Sequence, residues 1–107
     1  MVKIVYDSDF DVNVLQSTLP VLVEFGASWC GPCVRQLPIL EKFAQNNIDK
    51  INVVKIDIDE SPLCSGKFRI KSVPTLMLFV NGKNINMKTG LTTLTDLNTF
   101  IFGNLAQ

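Results

Sequence analysis

Apolar residues along this chain switch between two spacings, and the switches mark the elements. Val2 to Tyr6 is a short β-prone run, after which Asp7, Ser8 and Asp9 offer side-chain oxygens to cap a first helix reaching about Ser17. Within it Phe10, Val14 and Leu15 recur at helical spacing, which argues for core contacts and nothing more. The stretch Pro20 to Ala27, PVLVEFGA, is apolar at both alternating sets of positions, as a strand covered by helices on each side would be. Glu24 interrupts it. A carboxylate there either meets a gap in the cover or is buried at a cost.

From Cys33 to about Asn47 a helical period returns through Leu37, Leu40, Phe43, Ala44 and Ile48, with Pro32 suited to the first turn. Pro38 falls inside this pattern, where it removes one hydrogen bond and either kinks the helix or divides it in two. Ile51 to Ile58 is β-branched, with Val54, Ile56 and Ile58 on one face and Lys55, Asp57 and Asp59 on the other. Ser61-Pro62 reads as an N-cap followed by a first-turn proline, opening a short helix to about Phe68 with Cys64 in its first turn. Thr75 to Val80 is a strand, Asn81-Gly82 a tight hairpin turn, and Asn84 to Thr89 the returning antiparallel strand. A last helix from about Thr95 to Leu105 presents Leu97, Phe100, Ile101 and Leu105. No repeats, low-complexity tracts or linkers interrupt this series. The order β-α-β-α-β-α-β-β-α predicts an α/β fold, a mixed sheet flanked by helices.

The chain has 107 residues, 47% hydrophobic and 19% charged, so one domain over residues 1–107 is expected, with a core that needs no staples. Its formal net charge is zero, which predicts no broad attraction to nucleic acid or to a membrane surface. Partners must be recognised by shape and local chemistry. No run approaches the roughly 18 apolar residues of a membrane span, and MVKIVYDSDF has no long apolar core behind Lys3. Three cysteines are few and odd in number, unlike the frameworks of small secreted domains. A cytoplasmic, reducing setting and a monomer are expected.

The candidate chemistry lies in Ser28-Trp29-Cys30-Gly31-Pro32-Cys33, between the apolar strand and the helix. A disulfide across so short a loop constrains the unfolded chain by only about 2 kcal/mol, against about 3 for 15 residues. As a staple it is poor. The same spacing lets one sulfur resolve a mixed disulfide made by the other without waiting for a second molecule. Structural zinc needs four ligands, and the chain has no histidine and one other cysteine, Cys64. A cycling dithiol is therefore preferred over a zinc site or a structural disulfide. Cys30 falls at or just before the helix N-terminus, where backbone N–H groups and the helix dipole favour an anionic sulfur. That is the physical case for Cys30 as the attacking nucleophile.

VLVEFGASWCGPC, followed by KIDIDESP, VPTLMLFVNG and Gly90, resembles the thioredoxin family along nearly the whole chain. The resemblance implies a thioredoxin fold, a mixed five-stranded central sheet with four helices. It implies a protein-disulfide reductase that binds no cofactor and no metal, and that takes electrons from NADPH through a flavin-dependent thioredoxin reductase. Disulfide-containing proteins would be its substrates. Cys30 matches the family's exposed cysteine, and Cys33, one turn in, is expected to be more buried and to resolve the mixed disulfide. With no histidine, the proton of Cys33 must go to a carboxylate or to solvent. Glu24 stands where the family carries a buried aspartate, and Lys55 matches the lysine near that acid. Taken as structure alone, Glu24 is an edge acid and Lys55 a solvated lysine. Val73-Pro74 resembles the family's cis-proline loop, and Trp29, Gly31, Pro32, Ser72, Gly90 and Leu91 match the rest of a docking rim.

Two departures from the family pattern stand out. Glu24 is one methylene longer than aspartate, and Gly26 stands where a bulky aromatic is common, so looser packing beside the active-site loop is expected. Cys64 is either a small buried hydrophobe or a regulatory thiol whose helical position lowers its pKa. A disulfide oxidase or isomerase and a non-catalytic binding module share the same features, although Gly-Pro between the cysteines resembles the reducing branch.

Overall fold

The computed structural model describes residues 1–105. Strands β1 (Val2–Ile4), β2 (Val21–Gly26), β3 (Asn52–Asp57), β4 (Thr75–Val80) and β5 (Lys83–Thr89) form one sheet in the order β1-β3-β2-β4-β5. β1, β3 and β2 are parallel, while β4 runs antiparallel to β2 and β5 antiparallel to β4. The mixed sheet expected from the sequence is present. Asn81 and Gly82 both take positive φ in the β4–β5 turn, at 52° and 78°, as a tight hairpin requires.

β2 lies in the middle of the sheet and every one of its residues is buried, which explains its unbroken apolar pattern. Alternation sends Val21, Val23 and Phe25 to one face, where they meet Phe10, Val14 and Cys64. Phe68 completes that side, its ring 5.4 Å from Phe79 and 5.6 Å from Phe10. Leu22 points to the other face, against Leu40, Phe43 and Ala44 of helix α1 (Gly31–Asn46) and Leu97 and Ile101 of helix α3 (Leu94–Leu105). Burying each such Leu, Ile or Phe is worth about 1.5–3 kcal/mol, so this layer is what seats α1 on the sheet. Glu24 and Gly26 share the Leu22 face. They lie under the first turns of α1.

Two local expectations are corrected, and one alternative left open by the sequence is excluded. The first helix is not α-helical: Asp7–Asp9 is a 3₁₀ turn and Asp11–Leu15 a π-helical turn, ending before Ser17. This winding brings both Phe10 and Val14 into the core, which local propensity alone does not decide. Pro38 neither ends nor divides α1, which is continuous from Gly31 to Asn46. Ser61 does not cap helix α2 (Pro62–Lys67); its hydroxyl is buried with no partner among the described residues.

The cap of α2 comes from elsewhere in the chain. Asp7, expected to cap its own segment, accepts the N–H groups of Leu63 at 3.0 Å and Cys64 at 2.8 Å. Asp9 instead accepts from the Tyr6 N–H at 2.7 Å. Partial desolvation opposes ionisation of Asp7, but bonds from the Cys64 side chain and the two N–H groups outweigh it and hold the carboxyl below its ordinary range. Asp7 therefore supports the fold above its unfolded pKa, and that support is lost as the pH falls through its lower folded value. Asp7→Ala is expected to lower the denaturant midpoint at pH 7. Urea titrations from pH 7 downward should show the gap to wild type closing in acid.

Candidate active site

The parallel strands end beside the start of α1, and the Cys30–Cys33 disulfide forms there. Gly31-Pro32 can start the helix at once because a first-turn proline gives up only a donor that has no helical partner. Cys30 is the N-cap, and its Sγ accepts the Cys33 N–H at 3.1 Å. Sulfur thus holds a place usually filled by Ser, Thr or Asp. A thiolate at that position would accept the same bond more strongly and would meet the positive end of the helix dipole.

The expected difference in exposure between the cysteines is not seen: Cys30 is 5% and Cys33 4% exposed. Both belong to one small apolar cluster with Ala27, against which Ile58 and Val73 pack. What distinguishes them is position. Cys30 caps the helix and its Sγ is 3.7 Å from the Val73 carbonyl oxygen, whereas Cys33 Sγ faces inward toward β2.

Behind the disulfide lies Glu24, 1% exposed, with Oε2 buried and without a hydrogen-bond partner among the described residues. It is no edge acid. Lys55 is its register partner on β3 and is half-buried. Burial pushes the Glu24 carboxyl up to about 7, and the positive charge of Lys55 acts in the opposite direction. Gly26 does not loosen this packing. Its Cα lies so close to its neighbours that an added Cβ would stand 3.0 Å from Glu24 Oε1 and 3.3 Å from Cys33 Sγ.

Three loops meet around the sulfurs. Trp29, 68% exposed and no core aromatic, donates its indole N–H to Asp59 Oδ2 at 2.8 Å. The Val73–Pro74 bond is cis, as the family resemblance implies, and Thr75 Oγ1 donates to the Ser72 carbonyl at 2.6 Å. The Gly90 N–H donates to the Pro74 carbonyl at 2.8 Å, bringing Gly90 and the exposed Leu91 beside the proline. Gly31 is exposed and Pro32 half-buried at the helix start. The predicted docking residues therefore gather on one rim. A recess of about 310 Å³ near Lys3, Asn13, Leu19 and Asn52 lies at the other end of the sheet.

Sequence reasoning missed two supports. Asp59 was seen only as the polar face of a strand, not as the anchor of Trp29. Gln36 is fully buried, donating to the Thr92 carbonyl at 2.9 Å and accepting the Thr92 N–H at 2.8 Å, so α1 holds the Gly90–Leu91 loop. The signal was a glutamine within the Cys33–Leu40–Phe43 stripe of an otherwise apolar helix face. Cys64 is also settled in kind: burial first, then the Asp7 carboxylate, pushes its thiol up to about 12. A lowered pKa is overturned, because the first-turn donors of α2 serve the Asp7 carboxylate and its charge opposes a thiolate. Among the described residues no group of three or more His, Cys, Asp or Glu could hold a metal, and no helix is long and apolar enough to cross a membrane.

Comparison with known proteins agrees with this geometry. The family model described as Thioredoxin matches residues 1–102. A thioredoxin of Rickettsia prowazekii is 46% identical over 91 residues, covering 85% of this chain and 87% of its own. Thioredoxin 1 of Nostoc sp. is 44% identical over 93 residues, 87% of each chain, and thioredoxin 1 of Synechococcus elongatus is 41% identical over the same span.

The buried Glu24 sets a pH-dependent stability. Its folded pKa is raised, so the stability linked to it is full below the unfolded value of 4.5 and is lost as the pH rises through about 7. At a pH above both values the ionised carboxylate costs the fold on the order of 3 kcal/mol. Glu24→Gln keeps the shape without the charge. Urea unfolding should find this variant more stable than wild type at pH 8–9, with the difference shrinking toward pH 5.

Proposed function

This chain belongs to the thioredoxin family and is a thiol-disulfide oxidoreductase whose redox centre is the Cys30–Cys33 disulfide, and from that premise we propose how its residues divide the reaction. In the reduced protein the Cys30 thiolate attacks one sulfur of a substrate disulfide. A Cys30–substrate bond forms, the substrate's S–S bond breaks, and its other sulfur leaves as a thiolate that takes up a proton. Cys33 then gives its proton to the Glu24 carboxylate and attacks Cys30 Sγ. The mixed disulfide breaks, the second substrate sulfur leaves, and two electrons have passed to the substrate. The helix-capping position of Cys30 is the observation that carries the assignment, because it alone offers a backbone N–H and a helix dipole to a thiolate.

Glu24 is suited to accept the proton because its carboxyl sits near 7, close to the pH of the reaction. Lys55 limits that rise and keeps the acid able to ionise. The substrate chain docks as an extended segment along Trp29, Gly31, Pro32, Ser72, Val73, Pro74, Gly90 and Leu91, with the main chain of Val73 presented for pairing. A rim of shallow loops admits a protein strand where an enclosed cavity would not.

Family membership supports the partners: protein disulfides on one side, and on the other a flavin-dependent thioredoxin reductase drawing on NADPH. The protein acts as a cytoplasmic monomer of one domain, residues 1–107. Cys33→Ser should accumulate covalent, dithiothreitol-sensitive adducts with a disulfide substrate, since Cys30 still attacks and nothing resolves the product. Mass spectrometry should find them on Cys30. Brief iodoacetamide treatment of the reduced wild type should label Cys30 ahead of Cys33 and Cys64. Labelling of Cys33 first would reverse the two roles, and insulin reduction that does not respond to added reductase and NADPH would remove the proposed electron source.

A further inference from the structure

We propose that Gly26 is a positioning residue for this reaction: by carrying no side chain, it leaves one space into which both the longer carboxylate of Glu24 and the sulfur of Cys33 reach. The proposal rests on Glu24 being the proton acceptor and says what puts it within reach. Glu24 and Gly26 are two apart on β2, so both face the first turns of α1. A Cβ on Gly26 would stand 3.0 Å from Glu24 Oε1, 3.3 Å from Cys33 Sγ and 3.5 Å from Cys33 Cβ. Carboxylate oxygen and sulfur thus both crowd one point, and a carbon placed there makes a neighbour give by a few tenths of an ångström. Gly26 is not among the residues of positive φ, so the demand is for space and not for an unusual backbone.

The crowding atoms are unequal. Glu24 Oε1 is the far end of a side chain with three rotatable bonds, whereas Cys33 is held in a helix and through its own Cβ. Adding a methyl at position 26 therefore displaces the carboxylate first and leaves the strand intact. The groups facing Glu24 are Lys55 from β3, Leu76 from β4 and Cys33 from α1, so a displaced carboxylate moves away from the sulfur within a closed space. Glutamate and glycine here are complementary. The additional methylene of Glu24 carries its carboxylate about 1.5 Å farther than aspartate would reach, into the volume that a side chain at 26 would need. With aspartate at 24 that volume is released, and a methyl at 26 no longer meets an oxygen.

The test is a double-mutant cycle read by single-turnover kinetics. Reduced wild type, Gly26→Ala, Glu24→Asp, the double variant and Glu24→Gln are each mixed with one disulfide protein, and resolution of the mixed disulfide is followed from pH 5 to 9. Gly26→Ala should slow resolution by up to about tenfold in the Glu24 background, since a misplacement of about 1 Å can cost about 100-fold and the shift demanded here is a fraction of that. Its pH midpoint should also move, while iodoacetamide labelling of Cys30 stays at the wild-type rate. In the Glu24→Asp background the same alanine should change resolution by less than about twofold, a non-additivity expected only for groups in contact. Equal slowing in both backgrounds would make Gly26 a packing residue and overturn the proposal. So would wild-type kinetics of Gly26→Ala beside a slow Glu24→Gln, which leaves Glu24 as acceptor and removes only the positioning. Wild-type speed of Glu24→Gln would remove the acceptor and this proposal with it. Should Gly26→Ala fail to fold, recovery of the unfolding midpoint in the double variant supports the clash between residues 24 and 26, and no recovery refutes it.

Discussion

The first turn of an α-helix has backbone donors with no helical acceptor, and the site depends on how α1 disposes of them. Pro32 removes one donor outright. The Cys33 N–H goes to Cys30 Sγ, so the atom that caps the helix is also the atom placed to react. A disulfide sulfur is a weak acceptor and a thiolate a strong one, which means that the same contact becomes more favourable when the protein is reduced. Structure and chemistry meet in one hydrogen bond.

That bond is useful only because α1 is held in place. Leu40, Phe43 and Ala44 bury against Leu22, Leu76 and Leu78, anchoring the body of the helix away from the reactive end. The energy of that layer leaves room for an unfavourable element near the sulfurs. Glu24 is a buried acid in a strand whose other residues follow the apolar pattern, and desolvation raises its pKa against the opposing charge of Lys55. Where a sequence breaks the rule that its own neighbours keep, chemistry is the usual compensation. Gly26 next to Glu24 belongs to the same exception, since a larger residue would compete for the space the carboxylate occupies.

The rim of the site is assembled from segments far apart in the chain. Asp59 steadies Trp29, Gln36 grips the backbone of Thr92, and Gly90 bonds to Pro74. Each is a polar contact at the edge of an apolar layer, made where loops leave the sheet. Such contacts hold the rim of the proposed docking surface, on which Trp29 and Leu91 stay exposed.

Much of this was legible along the chain. The buried strand around Glu24, the Asn81-Gly82 hairpin, the helix behind Cys30 and the dithiol itself depend on local spacing and turn chemistry, which sequence carries directly. Local rules failed where a residue's partner is distant. Asp7 was read as the cap of its own segment and instead caps α2, because the fold aims two unsatisfied N–H groups at it. Of the two readings of Cys64, the small buried hydrophobe holds and the low-pKa thiol does not, because burial and that same aspartate govern it. Gly26 was read as slack and is a point of close approach. Sequence by itself determined which groups could react and in what secondary structure they sit, since those follow from residue type and period. Only the tertiary structure decided which carboxylate faces which sulfur, which loop is held to which, and which donors are left to satisfy, because desolvation and contact are properties of residues brought together from separate parts of the chain.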